Sequence, residues 1–296
     1  MNKKRMIKTV FTLFLLAMPL RSVADDHLIG DCNGDGKLSV SDVTTLISWL
    51  LSGYTPEQNE DKVFAVNGVT FKMIAVEGGT FMMGATEEQV LAGAQSNEYP
   101  AHQVTLSSFY VSQTEVTQEL WQAVMGTNPS RWQNDLKCPV ERVTWNDCQT
   151  FINQLNALTG QQFRMLTEAE WEYAARGGNK AQGFLYSGNS NIDEVAWYGA
   201  DFGGNSGGRH HPVATKQANE LGLYDMSGNV YEWVQDWSGS YAADPQVNPT
   251  GPETGSLRII RGASWWEAAF YLRVSFRHPG CEQNFKNDNV GLRLAM

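Results

Sequence analysis

Apolar and polar side chains follow three different patterns along the chain. Residues 10–20 form an almost unbroken apolar run, and residues 43–51 repeat apolar side chains at helical spacing. From Phe64 onward, apolar and polar residues alternate as they do in β-strands. A hairpin is predicted around Asn67-Gly68, because this dipeptide is favoured in type I′ turns.

Three later helices are predicted from their N-terminal caps. Thr117, Thr144 and Thr167 each precede a helical stretch, and the last two have an acidic residue three positions later, as in a capping box. A glycine then ends each helix. The apolar faces and closing glycines are Leu120, Trp121, Val124 and Met125 before Gly126; Cys148, Phe151, Ile152, Leu155 and Leu158 before Gly160; and residues 168–176 before Gly177. Because helix capping explains these acids, no catalytic role is assigned to Glu168, Glu170 or Glu172.

The first 24 residues have the features of a secretory signal. A basic start precedes the apolar run, and Ser22-Val23-Ala24 provides small residues before a cut after Ala24. A membrane anchor is the rival interpretation, but the run is shorter than the roughly 20 residues that span a bilayer. We therefore expect a secreted or periplasmic protein with no membrane span once the signal is removed.

The net charge excludes some classes of partner, and the cysteines raise the question of disulfides. The 296 residues carry a formal charge of −10, and removing the five basic side chains of the signal leaves −15 on residues 25–296. A nucleic-acid partner or an anionic membrane surface is therefore not expected. In an oxidising compartment, four cysteines allow three disulfide pairings, which the sequence does not distinguish. The cysteines are Cys32, Cys138, Cys148 and Cys281.

An acidic loop at residues 31–42 matches the EF-hand calcium pattern. Oxygen donors fall at the ligand positions of such a loop, and Gly36 stands at its sharp turn. The donors are Asp31, Asn33, Asp35, the carbonyl of Lys37, Ser39 and Asp42. The alternative is a solvated acidic loop, which would not require the glycine and an apolar position 8 together. We predict a calcium unit at residues 25–53 and a linker at residues 54–63.

A second acidic stretch, residues 222–233, combines turn residues with two carboxylates. Asp225 and Glu232 bracket the Ser227-Gly228-Asn229 turn, which can bring side-chain and carbonyl oxygens together. Hard oxygen ligands gathered in this way suit calcium. The alternative is an acidic turn before a buried aromatic strand.

Five sequence blocks together resemble the formylglycine-generating enzyme, or sulfatase-modifying factor, family. They are residues 109–117, 163–178, 222–233, 261–265 and 290–294, in the family's order. The resemblance covers roughly residues 67–296 and places a domain at residues 64–296. It implies an irregular α+β domain of the C-type-lectin-like fold with little regular secondary structure and bound calcium. The loop at residues 31–42 and its helix resemble one dockerin repeat. A cohesin-type partner would follow from that likeness, although scaffold-binding dockerins use two repeats.

The resemblance implies two calcium sites in the domain. In the first, Asp225 and Glu232 give side-chain oxygens, and Gly228 and Val230 give carbonyls. The second falls near Trp197 and Asn205.

The chemistry of the copper oxidases in this family is not expected here. Those enzymes hold copper(I) between two cysteines shortly after an Arg-Gly-Gly-Ser motif, and residues 261–273 contain no cysteine. Cys281 is expected in a disulfide with Cys138 or Cys148. No acid or histidine near Ser264 in sequence is expected to activate it, and His210-His211 is interpreted as a surface pair.

An aromatic segment stands where the family has its peptide groove. Rigid aromatic side chains with polar atoms suit binding surfaces. The predicted groove residues are Tyr231, Ser264, Trp266, Glu267, Phe270 and Tyr271, while Trp265 is expected in the core. The first hypothesis is an exported, calcium-binding family member that binds a protein, peptide or glycan or assists maturation without copper chemistry. The second is an active formylglycine-generating oxidase that uses other ligands.

Overall fold

The computed structural model describes residues 60–296 and position 43. The predicted signal, the EF-hand-like loop with its donors from Asp31 to Asp42, and Cys32 lie outside the described residues. The strands are β1 (Lys62–Val66), β2 (Val69–Val76), β3 (Gly79–Met83), β4 (His102–Leu106), β5 (Phe109–Ser112), β6 (Arg164–Met165), β7 (Tyr231–Trp237), β8 (Gln246–Val247), β9 (Arg258–Arg261), β10 (Val290–Leu292) and β11 (Leu294–Ala295). The α-helices are α1 (Glu87–Leu91), α2 (Gln118–Met125), α3 (Trp145–Thr159), α4 (Glu168–Ala175) and α5 (Ile192–Val195). Short 3-10 helices lie at Ser96–Glu98, Gly178–Lys180 and Ala269–Leu272.

Three small sheets organise the described residues. The first has the order β1-β2-β5-β11-β6, the second β10-β7-β9 and the third β3-β4-β8. The chain's last strands join different sheets: β10 runs parallel to β7, whereas β11 pairs with β5 and β6. Arg293 is the residue between β10 and β11, so it lies where two sheets meet. The mixed α+β class, mostly sheet with few helices, is confirmed.

Local sequence signals predicted several elements correctly. Asn67 and Gly68 have φ angles of 49° and 86°, as the type I′ hairpin turn requires. The side chains of Thr117, Thr144 and Thr167 each accept a hydrogen bond at a helix N-terminus, and the last two complete capping boxes. These contacts join residues only three positions apart, so the local sequence is enough to predict them.

Helix α4 is buried on every side although it carries three glutamates. Each acid has an arginine partner: Glu168 pairs with Arg277 at 2.6 Å, Glu170 with Arg164 at 2.6 Å, and Glu172 with Arg261 at 2.5 Å. A buried carboxylate needs such a partner, because desolvation of an unpaired charge costs several kcal/mol. The structure thus agrees with the interpretation of these glutamates as structural residues.

Two expectations about element bounds and buried faces need correction. Lys62 and Val63, which the sequence analysis placed in the linker, belong to β1, where Lys62 pairs with Met73. Leu158 was predicted on the buried face of α3 but is 54% exposed, because it lies in the last turn of the helix.

The expected disulfide of Cys281 with Cys138 or Cys148 is wrong. All three are buried free thiols. They lie in separate parts of the fold: Cys148 is on α3, the backbone of Cys138 bonds to that of Gln118, and the backbone of Cys281 pairs with that of Arg258. Burial raises the pKa of Cys138 to about 12 and that of Cys281 to about 11, so these thiols stay protonated and weakly reactive at neutral pH.

Among the residues that the structure describes, no helix has the length and apolar character needed to cross a bilayer.

Candidate functional site

The turn before β7 is built on unusual backbone conformations. Asp225, Gly228 and Asn229 have φ angles of 58°, 87° and 59°. At Gly228 the backbone packs so closely on Trp197 that an added Cβ would lie 2.4 Å from the Trp197 carbonyl oxygen. Any side chain at position 228 would therefore push the two loops apart. The turn is held in one shape, as a binding site requires.

Three buried carboxylates surround this turn. Glu232 forms a paired contact with Arg293, at 2.8 and 2.9 Å, and accepts a hydrogen bond from Trp171 Nε1 at 2.7 Å. Glu115 accepts from Asn229 Nδ2 at 3.2 Å and from the Val230 amide at 3.3 Å. Asp225 Oδ2 accepts from the Ala214 amide at 2.8 Å, while its Oδ1 is buried without a partner.

The charges of this cluster do not balance. Arg293 is the only cation in direct contact with any of the three acids among the described residues. Burial, together with the charge of Asp225, raises the pKa of Glu115 well above its usual value. Burial also raises the pKa of Asp225 to about 6. The cluster therefore favours taking up a proton or a cation.

The predicted calcium ligands around the turn are only partly available. Asp225 offers a bare oxygen, but the carboxylate of Glu232 is already held by Arg293 and Trp171, which differs from the role expected for it. Among the described residues, no group of three or more His, Cys, Asp or Glu side chains is arranged to hold a metal ion. Carbonyls such as those of Gly228 and Val230 would have to complete any calcium site here. Glu115, which the sequence analysis did not single out, is a further buried acid in contact with this turn.

At the second predicted calcium site, Trp197 and Asn205 already make hydrogen bonds within the protein. The Trp197 carbonyl oxygen accepts a hydrogen bond from the Asn229 amide at 3.0 Å, and the Trp197 ring stacks on His211 with centroids 3.7 Å apart. Asn205 Nδ2 donates to Asp193 and to the Ala196 carbonyl at 3.2 and 3.1 Å. The two residues thus brace the 196–211 loop against the turn.

Ser264 is sealed beneath the predicted groove. Its side chain is 0% exposed and donates to Glu267, and it accepts from Asn289 Nδ2 at 3.1 Å. An acid three residues away therefore does contact this serine, contrary to the sequence analysis. Burial raises the pKa of Glu267. Burial, together with the charge of Glu267, raises the pKa of Tyr231. Ser264 and Glu267 together act as an internal polar support, because the hydroxyl has no open face from which to attack a substrate.

The aromatic side chains above this support divide into two groups. Trp265 is buried, as expected, and contacts Trp132 edge-on with centroids 5.4 Å apart. Trp266 and Tyr271 are 43% and 36% exposed and present their rings at the surface. Phe270 packs edge-on against Tyr271 with centroids 5.1 Å apart, whereas Tyr231 is buried against His278. Of the predicted groove residues, Trp266 and Tyr271 are exposed and Phe270 is half-buried; these three are the accessible aromatic surface, whereas Tyr231 and Ser264 are buried.

The histidines also differ from the expectation. His210 is only 2% exposed, and neither of its ring nitrogens has a hydrogen-bond partner. Its Nε2 lies 3.7 Å from Glu141, which is itself buried. His278 Nδ1 lies 3.7 Å from the sulfur of Cys281. The interpretation of His210-His211 as a surface pair is therefore wrong.

Comparison with known proteins fixes the class of the chain. Its mixed α+β architecture is that of the C-type-lectin-like fold of formylglycine-generating enzymes. The profile of the sulfatase-modifying factor enzyme 1-like domain matches residues 60–296. The chain belongs to this family.

Three similar proteins illustrate the range of the family. Chaperone protein LppX of Paenibacillus barcinonensis is 33% identical over 274 residues, which cover 77% of this chain and 90% of LppX. Inactive C-alpha-formylglycine-generating enzyme 2 of Bos taurus is 27% identical, covering 87% of this chain and 96% of that protein. The solved structure of Treponema denticola variable protein 1 superposes with a TM-score of 0.70 at 32% identity, covering 81% of this chain and 99% of that one.

Proposed function

We propose that this protein is an exported, calcium-binding member of the family that binds a protein, peptide or glycan and lacks copper-thiol oxidase chemistry. The observation that carries the proposal is the exposure of the Trp266 and Tyr271 rings, with Phe270 packed on Tyr271, in a segment whose serine, Ser264, is buried. Large aromatic side chains anchor binding surfaces because they bury much apolar area with few rotatable bonds. LppX carries the name of a chaperone and the bovine relative is named inactive, and both names agree with a non-catalytic role.

Removing the two exposed rings should weaken partner capture. The double variant Trp266→Ala, Tyr271→Ala is expected to weaken binding by about 2 kcal/mol or more, the loss typical of aromatic hot spots. The measurement is a quantitative pull-down from the native envelope fraction, followed by titration of the captured partner.

The matched control for this experiment is Val63→Ala with Val247→Ala, two exposed apolar side chains on strands β1 and β8. This control should bind as the parent does. Equal capture by the parent and the aromatic double variant would exclude the aromatic surface as the binding site.

The competing function, a formylglycine-generating oxidase, makes an opposite prediction for copper. Linear copper(I) needs two soft donors, and residues 261–273, which match the segment where the family's oxidases have thiols, contain no cysteine. The described thiols are buried in separate parts of the fold, and His278 Nδ1 lies 3.7 Å from the Cys281 sulfur. We expect no stoichiometric copper(I) binding and no conversion of a Cys-x-Pro-x-Arg peptide, with Cys281→Ser behaving as the parent.

The measurement for the oxidase question is competition against a copper(I) chelator, paired with mass spectrometry of the peptide. A formylglycine product from the parent protein would establish the oxidase instead.

Calcium is proposed at two places, the EF-hand-like loop at residues 31–42 and the turn of Asp225. Support at the turn comes from the unpartnered Oδ1 of Asp225 and from the excess negative charge around Arg293. There Asp225 and the carbonyls of Gly228 and Val230 would hold the ion, with Glu115 as a neighbouring acid. The ion would neutralise buried charge and tie the 196–230 loops to β7.

A further inference from the structure

A cavity of about 320 Å³ lies between the start of α4 and the loop at residues 239–252. None of the aromatic-surface residues Trp266, Phe270 and Tyr271 lines it, and neither does the turn of Asp225. Its size is at the lower end of small-molecule pockets, which begin at about 300 Å³. The cavity is therefore separate from both the aromatic surface and the proposed calcium site at the turn.

Asp236, near the end of β7, provides the cavity with a buried acid. The side chain is only 4% exposed. Its Oδ2 accepts a hydrogen bond from the amide of Glu168, the first residue of α4, at 2.9 Å. Its Oδ1 has no hydrogen-bond partner among the described residues. Gly251 closes over this oxygen, since an added Cβ would lie 3.0 Å from Oδ1. One oxygen of Asp236 thus supports the helix, and the other has no donor although Gly251 packs beside it.

The other charges at the cavity are already neutralised. Glu168 and Arg277 make a paired contact at 2.6 and 2.8 Å, and the Arg277 guanidinium lies 4.2 Å from the centre of the Tyr241 ring. His102 Nδ1 faces the Pro100 carbonyl at 3.1 Å. Among the carboxylates and the guanidinium that line the cavity, Asp236 is the one without a direct partner of opposite charge. A raised pKa, about 7, follows from its burial and from the nearby Glu168. When Asp236 is ionised, its charge therefore has no cation in direct contact.

We propose that this cavity binds a small organic cation whose ammonium group pairs with Asp236 Oδ1, namely a primary amine the size of a diamine or a lysine side chain. An amine supplies N–H donors and the missing charge together, and a charge-assisted contact of this kind is stronger than a neutral one. A metal ion is a poorer fit, because Asp236 is the one carboxylate lining the cavity that is not already paired with an arginine. The ring of Tyr241 and the rim of the 239–252 loop would cover the carbon chain.

The test is calorimetric titration of the full chain with 1,4-diaminobutane and, in parallel, with 1,4-butanediol, a neutral molecule of similar shape. We expect saturable binding of the diamine and none of the diol. Asp236→Asn keeps an acceptor for the Glu168 amide but removes the charge, so it should weaken diamine binding at least tenfold. Asp244→Asn removes an exposed acid outside the cavity lining and should bind as the parent does.

A second variant guards against loss of folding. Ala242→Trp adds a large side chain at an exposed position that lines the cavity, so it should block the diamine without disturbing the core. Equal diamine affinity in the parent and in Asp236→Asn would overturn the proposal. So would equal binding of the diamine and the diol, or no binding of the diamine to the parent at millimolar concentration.

Discussion

Arg293→Met should destabilise the domain by about 3–5 kcal/mol, the usual cost of removing one partner from a buried ion pair. Arg293 is fully buried, contacts both oxygens of Glu232, and donates to the carbonyls of Ser112 and Tyr224 at 2.9 and 2.7 Å. Without it, three acids remain buried with no cation in contact. Urea unfolding at neutral pH measures the loss.

The matched control for Arg293→Met is Arg131→Met, which breaks an exposed pair with Asp288 at 2.5 Å. That change should cost less than about 1 kcal/mol, because solvent screens such pairs. If Arg293→Met does not fold, adding Glu232→Gln should restore part of the stability by removing one uncompensated charge. Equal losses for the two arginine variants would contradict the role given to Arg293.

Asp225→Asn should stabilise the protein in a calcium chelator and lose that advantage when calcium is added. Burial raises the pKa of Asp225 from its ordinary 3.8 to about 6, so the folded state resists ionisation of this group. Stability is therefore lost as pH rises from about 4 to about 6 and stays lower above that range. The asparagine variant avoids the loss, which amounts to about 3 kcal/mol at pH 7.5 and disappears near pH 4.

Calcium should reverse this order. Bound calcium would compensate the Asp225 charge, so the parent should gain about 3 kcal/mol at saturating calcium and the variant much less. All proteins in this comparison would carry Asp31→Ala, which silences the EF-hand-like loop. Asp236→Asn is the matched control, since it removes another buried acid with a raised pKa and should be stabilised with or without calcium. Thermal melts that shift equally with calcium for the parent and Asp225→Asn would rule out calcium at this turn.

Local features of the fold were predictable from the sequence, and long-range pairings were not. The Asn67-Gly68 turn and the three threonine caps depend on neighbours within a few residues. The contact of Glu115 with the Val230 amide joins positions 115 residues apart, and nothing in either stretch indicates it. The sheet order, in which β11 lies between β5 and β6, is equally hidden, because each strand pattern fits several neighbours.

The sequence also contained one local signal that was misjudged. Ser264 and Glu267 are three residues apart, and the structure joins their side chains directly. The exposed rings of Trp266 and Tyr271 were predicted as surface anchors, and their exposure agrees. Tyr231 was placed with them but is buried, since it is the first residue of a strand whose first four residues are all buried. The position of Tyr231 on a buried strand, rather than its residue type, therefore determines its burial.

The arginines of the buried ion pairs determine when the domain can finish folding. Arg261, Arg273, Arg277 and Arg293 all come from the last 36 residues, and they neutralise Glu172, Glu98, Glu168 and Glu232, which are synthesised earlier. Until that segment emerges from the ribosome, the compact state would enclose at least four unpaired acids, at a cost of several kcal/mol each. A nascent chain should therefore remain loosely folded until its synthesis is nearly complete.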